Sequence, residues 1–317
     1  MRERSLRMNR LQASRAIVVM ACVASLGAPV AAQRPSMYQA ATTFLESLTP
    51  EQRQLAAFPF ESAERQRWGF GPIEQFPRLG LPMHRLSESQ RSRAHALLQL
   101  GLSDRGYEMT TAIMARETLR RADPLDYHVS IFGTPSPDGT WSWRVEGHDL
   151  SLNFTILKGS LVASTPSFFG GILTPEDDAA WTLLKTLDDR QRAEATIARD
   201  APADIVTTNQ MVVSPLPPGG IPVTAMSDGQ RELLMQVIRA HSSTMIFDVA
   251  GARMARLRSG GLDRIMFSWA GSMEPGQPHY YRVLGPTFLI EYASGSGNDA
   301  HSVWRDFERD FGRDLLR

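Results

Sequence analysis

Trp141–Gly171 reads WSWRVEGHDLSLNFTILKGSLVASTPSFFGG. Apolar side chains alternate at Trp141, Trp143 and Val145, and again at Leu150, Leu152 and Phe154. This is the period-two signature of strands with one apolar face. The apolar positions are odd in the first run and even in the second. A strand cannot move its buried side chains to the other face without an inserted residue or a reversal of the chain. Glu146-Gly147-His148-Asp149 is therefore one of two things. A bulge there would aim His148 into a pocket, with Arg144 and Glu146 on the same side of the strand. A hairpin tip there would leave His148 solvated. Gly147 tolerates either backbone. Lys158-Gly159 reads as a second turn, so the pairing in this region is antiparallel.

Working outward, the period changes. Residues 37–57 carry apolar side chains at helical spacing, with Thr49-Pro50-Glu51-Gln52 as a stop and restart. Residues 58–82, rich in Pro, Gly and aromatics, read as an irregular segment wrapping the surface. Ser87 and Gln90 have capping-box spacing, and helices over 89–100 and 103–121 follow. A helix over 175–200 has the acidic start Glu176-Asp177-Asp178, which suits the positive end of the helix dipole. Beyond a Pro-rich crossing at 201–224, helices are expected over 227–241 and 243–258, then strands over 264–270, 279–284 and 287–292. FERDFGRD in the tail reads as a solvated helix face. No internal repeat stands out. The order of helices, strands, helices and strands predicts an α+β fold, a mainly antiparallel sheet flanked by helices with a helical N-terminal region. No GxGxxG or GxxxxGK[ST] loop follows a strand, which argues against nucleotide binding on a doubly wound sheet.

The N-terminus sets the expected location. Arg2, Arg4, Arg7, Arg10 and Arg15 form a basic front, 16–30 is apolar but short for a membrane span, and Val30-Ala31-Ala32 supplies small residues for cleavage. Residues 1–32 therefore read as a signal peptide cleaved after Ala32, with a membrane anchor as the alternative. Residues 33–317 read as a single α+β domain, periplasmic or secreted and not membrane-bound after cleavage. The full chain has 34 basic and 34 acidic residues; losing five Arg and one Glu leaves 29 and 33, a formal charge of −4. A nucleic-acid partner would need a concentrated basic face, and none is evident. Cys22 is the only cysteine. The mature chain is thus predicted to lack disulfides, thiolate catalysis and Cys-ligated metals.

The candidate chemistry rests on a few residues. None of the seven histidines forms HExxH or a close His-x-His pair. His148, His279 and His301, with Glu291 on an otherwise apolar strand, would suit a divalent metal such as Zn or Cu. The plain alternative is that each histidine bonds locally. Arg144 and Arg282 could hold a carboxylate or phosphate, or be ordinary ion pairs. Glu146 is the candidate general base. No GxSxG elbow is present.

Several segments carry a family resemblance: GLPMHRLSESQRSRAHALLQLGLSDRGYEMTTAIM, FGTPSPDGTWSWRVEGHDLSLNFT, TPSFFGG, GLDRIMFSWAG, PHYYRVLGPTFLIEY and HSVWRDFERDFGRDLL. The chain closely resembles the bacterial family catalogued as domain of unknown function 3500, over most of its mature length. The resemblance implies no activity. The family pattern has two histidines where this chain has His148-Asp149, and His-x-His where it has Asp299-Ala300-His301. Each departure puts Asp in place of His, and Asp is itself a metal ligand.

Two functions follow as expectations. The first is an exported metal-dependent enzyme, most plausibly a hydrolase, with His148, His279, His301 and Glu291 as ligands, Glu146 as base, and Arg144 or Arg282 on an anionic group of a small-molecule substrate. The second is a non-catalytic exported protein that binds a small molecule. Convergence of the three histidines separates them, because metal–ligand bonds are only ~2 Å long.

Overall fold

A computed structural model of the protein describes residues 35–171, 173–295 and 299–314. The predicted signal peptide and its cleavage after Ala32 lie outside the described residues. The first half of the fold runs α1 (Met37–Glu46), α2 (Pro50–Ala56), β1 (Ala57–Phe58), β2 (Leu81–Pro82), α3 (Glu88–Gly101), α4 (Asp104–Arg116), β3 (His128–Phe132), β4 (Thr140–Gly147), β5 (Leu150–Leu157), β6 (Ser160–Ala163) and β7 (Ser167–Gly171). The second runs α5 (Thr174–Thr186), α6 (Asp189–Ala195), β8 (Thr196–Ala198), β9 (Ile221–Pro222), α7 (Asp228–Ser242), α8 (Phe247–Gly260), β10 (Met266–Gly271), β11 (His279–Leu284), β12 (Phe288–Ser294) and β13 (Ala300–Asp306). These strands form one sheet whose long path is β1-β3-β4-β5-β7-β13-β12-β11-β10-β8. Its long neighbours pair antiparallel. The fold is α+β, as the change of period predicts.

The two halves repeat one another, contrary to the expectation of no internal repeat, and the sequence carries the likeness locally as Gly-x-Pro-x4-Ser-x2-Gln-Arg at 80–91 and 220–231. In each, a short helix feeds a strand that pairs parallel: β1 beside β3, β8 beside β10. A Gly-x-Pro strand then pairs antiparallel with the same partner, at Gly80-Leu81-Pro82 and Gly220-Ile221-Pro222. A capping box follows in each, Ser87 with Gln90 and Ser227 with Gln230. Gln90 Nε2 donates to Ser47 O and Gln52 Oε1; Gln230 Nε2 donates to Thr186 O and Gln191 Oε1. Arg144 lies opposite Asn153 just as Arg282 lies opposite Glu291. β7 and β13, the last strand of each half, pair antiparallel at the centre of the sheet. Equivalent strands running in opposite directions relate the halves by an approximate two-fold axis through that seam. The likeness survives at caps and turns, where backbone geometry selects Gly, Pro, Ser and Gln. It is lost in the core, where any apolar side chain of suitable volume serves.

Two further expectations are corrected. Residues 175–200 are not one helix: α5 ends at Thr186, Asp188 caps α6, and the chain enters β8. The tail is not a solvated helix face either. FERDFGRD follows directly on the central strand β13 and forms only a short 3-10 turn at Asp310–Gly312, whose residues are buried.

The sheet has two unlike faces, and both are covered. Trp143, Val145, Leu152, Phe154, Trp269, Tyr281 and Ile290 pack with helical side chains such as Phe44, Leu98, Leu184 and Leu234 in the main apolar core. The opposite face carries Ser142, Arg144, Glu146, Ser151, Asn153, Arg282, Glu291 and Arg305, all buried. It is roofed by parts of the two irregular segments. A small apolar cluster of Trp68, Phe70, Phe168, Ile205, Tyr280 and Val303 joins roof to sheet.

Candidate functional site

The phase flip after Val145 is a tight hairpin. Gly147 pairs with Leu150, so His148 and Asp149 alone make the turn. Asp149 takes the left-handed conformation (φ 61°), which a short polar side chain tolerates. The tip is not solvated, however. Asp149 N donates to Phe70 O at 2.8 Å, Gly170 N to Asp149 O at 2.7 Å, and the Tyr127 hydroxyl to His148 O at 2.9 Å. A Cβ on Gly170 would come within 2.7 Å of the Asp149 Cβ, so only glycine lets the turn seat against β7. The Asp149 side chain is 2% exposed and that of His148 26%.

Asp149 is the hub of a charged cluster. Arg120 Nη1 donates to its Oδ2 at 2.6 Å. Its Oδ1 lies 3.3 Å from His301 Nε2 and 3.7 Å from His148 Nε2. Each imidazole is backed by a carboxylate at its other nitrogen: His148 Nδ1 is 3.2 Å from Glu117, and His301 Nδ1 is 2.8 Å from Asp204. Asp299 closes the group, 3.2 Å from Arg120 Nη2 and 3.3 Å from Arg116 Nη2. Ligand-type atoms of Glu117, His148 and Asp149 lie within 4.8 Å of one another, as do those of Asp149, Asp299 and His301.

The electrostatics follow from these contacts. His301 donates to a carboxylate from both nitrogens, which only the protonated ring can do. Burial opposes its charge, but the bonds to Asp149 and Asp204 prevail and raise its pKa to about 9. Asp149 is lowered to about 2: burial opposes its charge, and His301, His148 and Arg120 overcome that cost. Burial also opposes the Arg120 charge, and Asp149, Glu117 and Asp299 outweigh it and raise its pKa. Beside the cluster a cavity of about 460 Å³ opens on His148, Glu117 and Arg120, with Arg78, Arg121 and Glu74 on its walls. That volume suits a small molecule.

Of the residues singled out from sequence, the structure brings His148 and His301 together. His279 is elsewhere. In β11 it is cross-strand to Ser294 and Gly271, on the helix-covered face, whereas His301 is cross-strand to Ala293 on the other. It stacks on Trp269 (4.8 Å between centroids), and its Nε2 lies 2.8 Å from Asp177. Glu291 is also separate. Val206 N, Thr207 N, the Thr207 hydroxyl and the Tyr280 hydroxyl all donate to its carboxylate.

Arg144, Glu146 and Arg282 act as struts beneath the roof. Arg144 donates to Glu64 O, Arg67 O and Glu64 Oε1 at 2.8, 2.7 and 2.6 Å, and its Nη2 is 2.8 Å from Glu146. Glu146 accepts from Gly69 N at 3.2 Å, and burial raises its pKa against the pull of Arg144 and Arg78. Arg282 donates to Pro217 O at 2.7 Å. A substrate group would have to displace these bonds, so the structure does not join the three to the cluster.

Sequence reasoning missed Glu117, Arg120 and Asp204. Glu117 and Arg120 are three apart and adjacent on a helical turn, a faint signal shared by many surface pairs. Asp204 sits in the Pro-rich crossing, 97 residues from His301, with no local signal at all. Asp149 and Asp299 stood out only as departures from the family pattern.

The family model described as Protein of unknown function (DUF3500) matches residues 31–313, and the protein belongs to that family. No curated protein and no solved structure matches the chain.

Proposed function

We propose that the protein is an exported metal-dependent hydrolase whose cation is held by His148, Asp149, Asp299 and His301. One observation carries the reading: both imidazoles turn Nε2 toward the same oxygen of Asp149, and both have Nδ1 backed by a carboxylate. Carboxylate–histidine pairs of this kind orient metal ligands and fix their tautomers. The four positions are also those where the resemblance places the family's histidines. Nitrogen and carboxylate donors together suit Zn²⁺ or Cu²⁺. Export rests on the basic front, the apolar stretch and the Val30-Ala31-Ala32 site of the N-terminus.

When bound, such an ion supplies Lewis-acid activation of water or a carbonyl near neutral pH. The chain does the rest. Glu117 and Asp204 hold the two rings. Nε2 of His301 gives up the proton it donates to Asp149 in order to ligate, while Nδ1 keeps its proton on Asp204. Exchange of that one proton for a divalent ion adds one net positive charge, which the surrounding carboxylates offset. Arg120 stays bonded to Glu117, Asp149 and Asp299, and Arg121, exposed on the cavity wall with Arg78 beside it, binds an anionic group of the substrate near His148.

Calorimetric titration of Zn²⁺ and Cu²⁺ into the chelator-treated protein tests this. One equivalent should bind per chain, and His301→Gln and Asp149→Asn should each abolish saturable binding. Wild-type protein that takes up neither ion, or variants that bind as wild type does, would overturn the assignment.

A further inference from the structure

The internal repeat gives the His148-Asp149 corner a counterpart. It is the turn at Gly285-Pro286-Thr287 with α8, residues 164–167 and the end of β13. A cavity of about 60 Å³ lies there, several times the volume one water needs. Its walls are mostly apolar, with Val249, Leu257 and Phe288 among them, and three arginines and one aspartate also line it.

Two of those arginines are already committed. Arg256 bonds to Asp306 and Glu308, each at 2.7 Å, and Arg309 bonds to Asp314 at 3.2 Å. Arg253 has no carboxylate partner among the described residues. Its Nη2 donates to Ser164 O, Ser164 Oγ and Ser167 Oγ at 2.9, 2.9 and 3.1 Å. Its guanidinium lies 4.6 Å from the centroid of the Trp304 ring, and its Nε and Nη1 have no hydrogen-bond partner. The residue is only 8% exposed. Burial lowers its pKa to about 9, with Asp306 and Asp310 opposing that only in part. The Thr287 hydroxyl on the same wall also lacks a partner. A buried cation without a counter-ion is costly, and a carboxylate is its natural complement.

We propose that this cavity binds a small monocarboxylate, with Arg253 as counter-ion and a short aliphatic tail against Val249, Leu257 and Phe288. The charge count selects the class. One uncommitted cation balances one negative charge. A phosphate dianion would leave a second charge against apolar walls and close to Asp306.

The test is calorimetric titration of the full chain, with chelator present, using acetate, propionate, butyrate and inorganic phosphate. Propionate and butyrate should bind saturably and more tightly than acetate, because each added methylene is buried. Phosphate should not compete. Arg253→Met should weaken carboxylate binding on the order of tenfold or more, the worth of a charge-assisted bond. Ala252, exposed at the cavity wall, offers a second variant that spares the core: Ala252→Phe should block binding with unchanged stability. If Arg253→Met does not fold, Ala252→Phe decides. No saturable binding of any carboxylate, binding that survives Ala252→Phe, or phosphate binding as tight as butyrate would each overturn the proposal.

Discussion

The same frame ends in two chemically opposite corners. Where β4 turns into β5, the first half presents His148 and Asp149 to His301, with Glu117, Asp204 and Asp299 around them. Where β11 turns into β12, the second half presents Thr287 to a cavity lined by Arg253, Arg256 and Arg309. One corner gathers carboxylates and imidazoles around Asp149; the other buries the Arg253 guanidinium with no carboxylate partner among the described residues. The difference arises from a handful of side chains at turns and strand ends, while the caps, the Gly-x-Pro strands and the glutamine clamps stay alike. A duplicated fold can thus keep its folding signals and diverge where backbone geometry makes few demands on residue type.

That comparison can be broken in several ways. The largest effect is expected at the struts, which look equivalent but are not. Arg144→Met strands Glu64 and Glu146 as buried carboxylates, so unfolding by denaturant should show a loss of about 3–5 kcal/mol. Arg282→Met strands only a carbonyl and a hydroxyl and should cost about 1–3 kcal/mol. Equal losses would mean that Arg144 is not the ionic anchor of the roof. Next comes the metal corner. Asp204→Asn keeps the shape but weakens the backing of His301, and Zn²⁺ affinity should fall roughly 10–100-fold. His279→Gln should leave that affinity unchanged, and a drop there would break the separation of the two sheet faces.

The pH dependence of the metal-free protein separates the buried His241 from the half-buried His301. His241, on the helix-covered face, bonds to the hydroxyls of Tyr281 and Ser302, and burial lowers its pKa to about 3. Its contribution to stability is full above its ordinary value near 6.5 and erodes as pH falls from there toward 3. His301, raised to about 9, works the other way: its contribution is full below 6.5 and is lost as pH rises through 9. Chemical denaturation across pH should show His241→Gln flattening the acid limb and His301→Gln the alkaline limb, each by at most about 1.4 kcal/mol per pH unit. Limbs that do not change would contradict the assigned protonation states. The smallest effect tests the repeat itself. Ser87→Ala and Ser227→Ala each remove a capping-box hydroxyl and should cost about 1 kcal/mol apiece, with matching shifts in midpoint.

Much of the fold was legible because local signals agreed with tertiary packing. Ser87 and Gln90, the period change after Asp126, and the limits of β11 all stand in the structure as read. The charged pattern of FERDFGRD misled because Asp310 is held by Arg305 of β13, so a buried ion pair resembles a solvated face. The hairpin alternative at His148-Asp149 came from register alone, but its burial depends on Phe70 and Gly170, far away in sequence. The cluster was half legible: His148 and His301 were chosen for residue type. Glu117, Arg120 and Asp204 were hidden because only the folded chain brings the roof, the end of α4 and the central strand together.

The central claim is that two imidazoles, His148 and His301, meet at one cation. Electron paramagnetic resonance of the protein loaded with Cu²⁺ reads this directly through nitrogen hyperfine structure. The account predicts two coupled imidazole nitrogens in the wild type, one in His148→Gln, one in His301→Gln, and two in His279→Gln. A spectrum without protein nitrogen, or one altered only by His279→Gln, would contradict it.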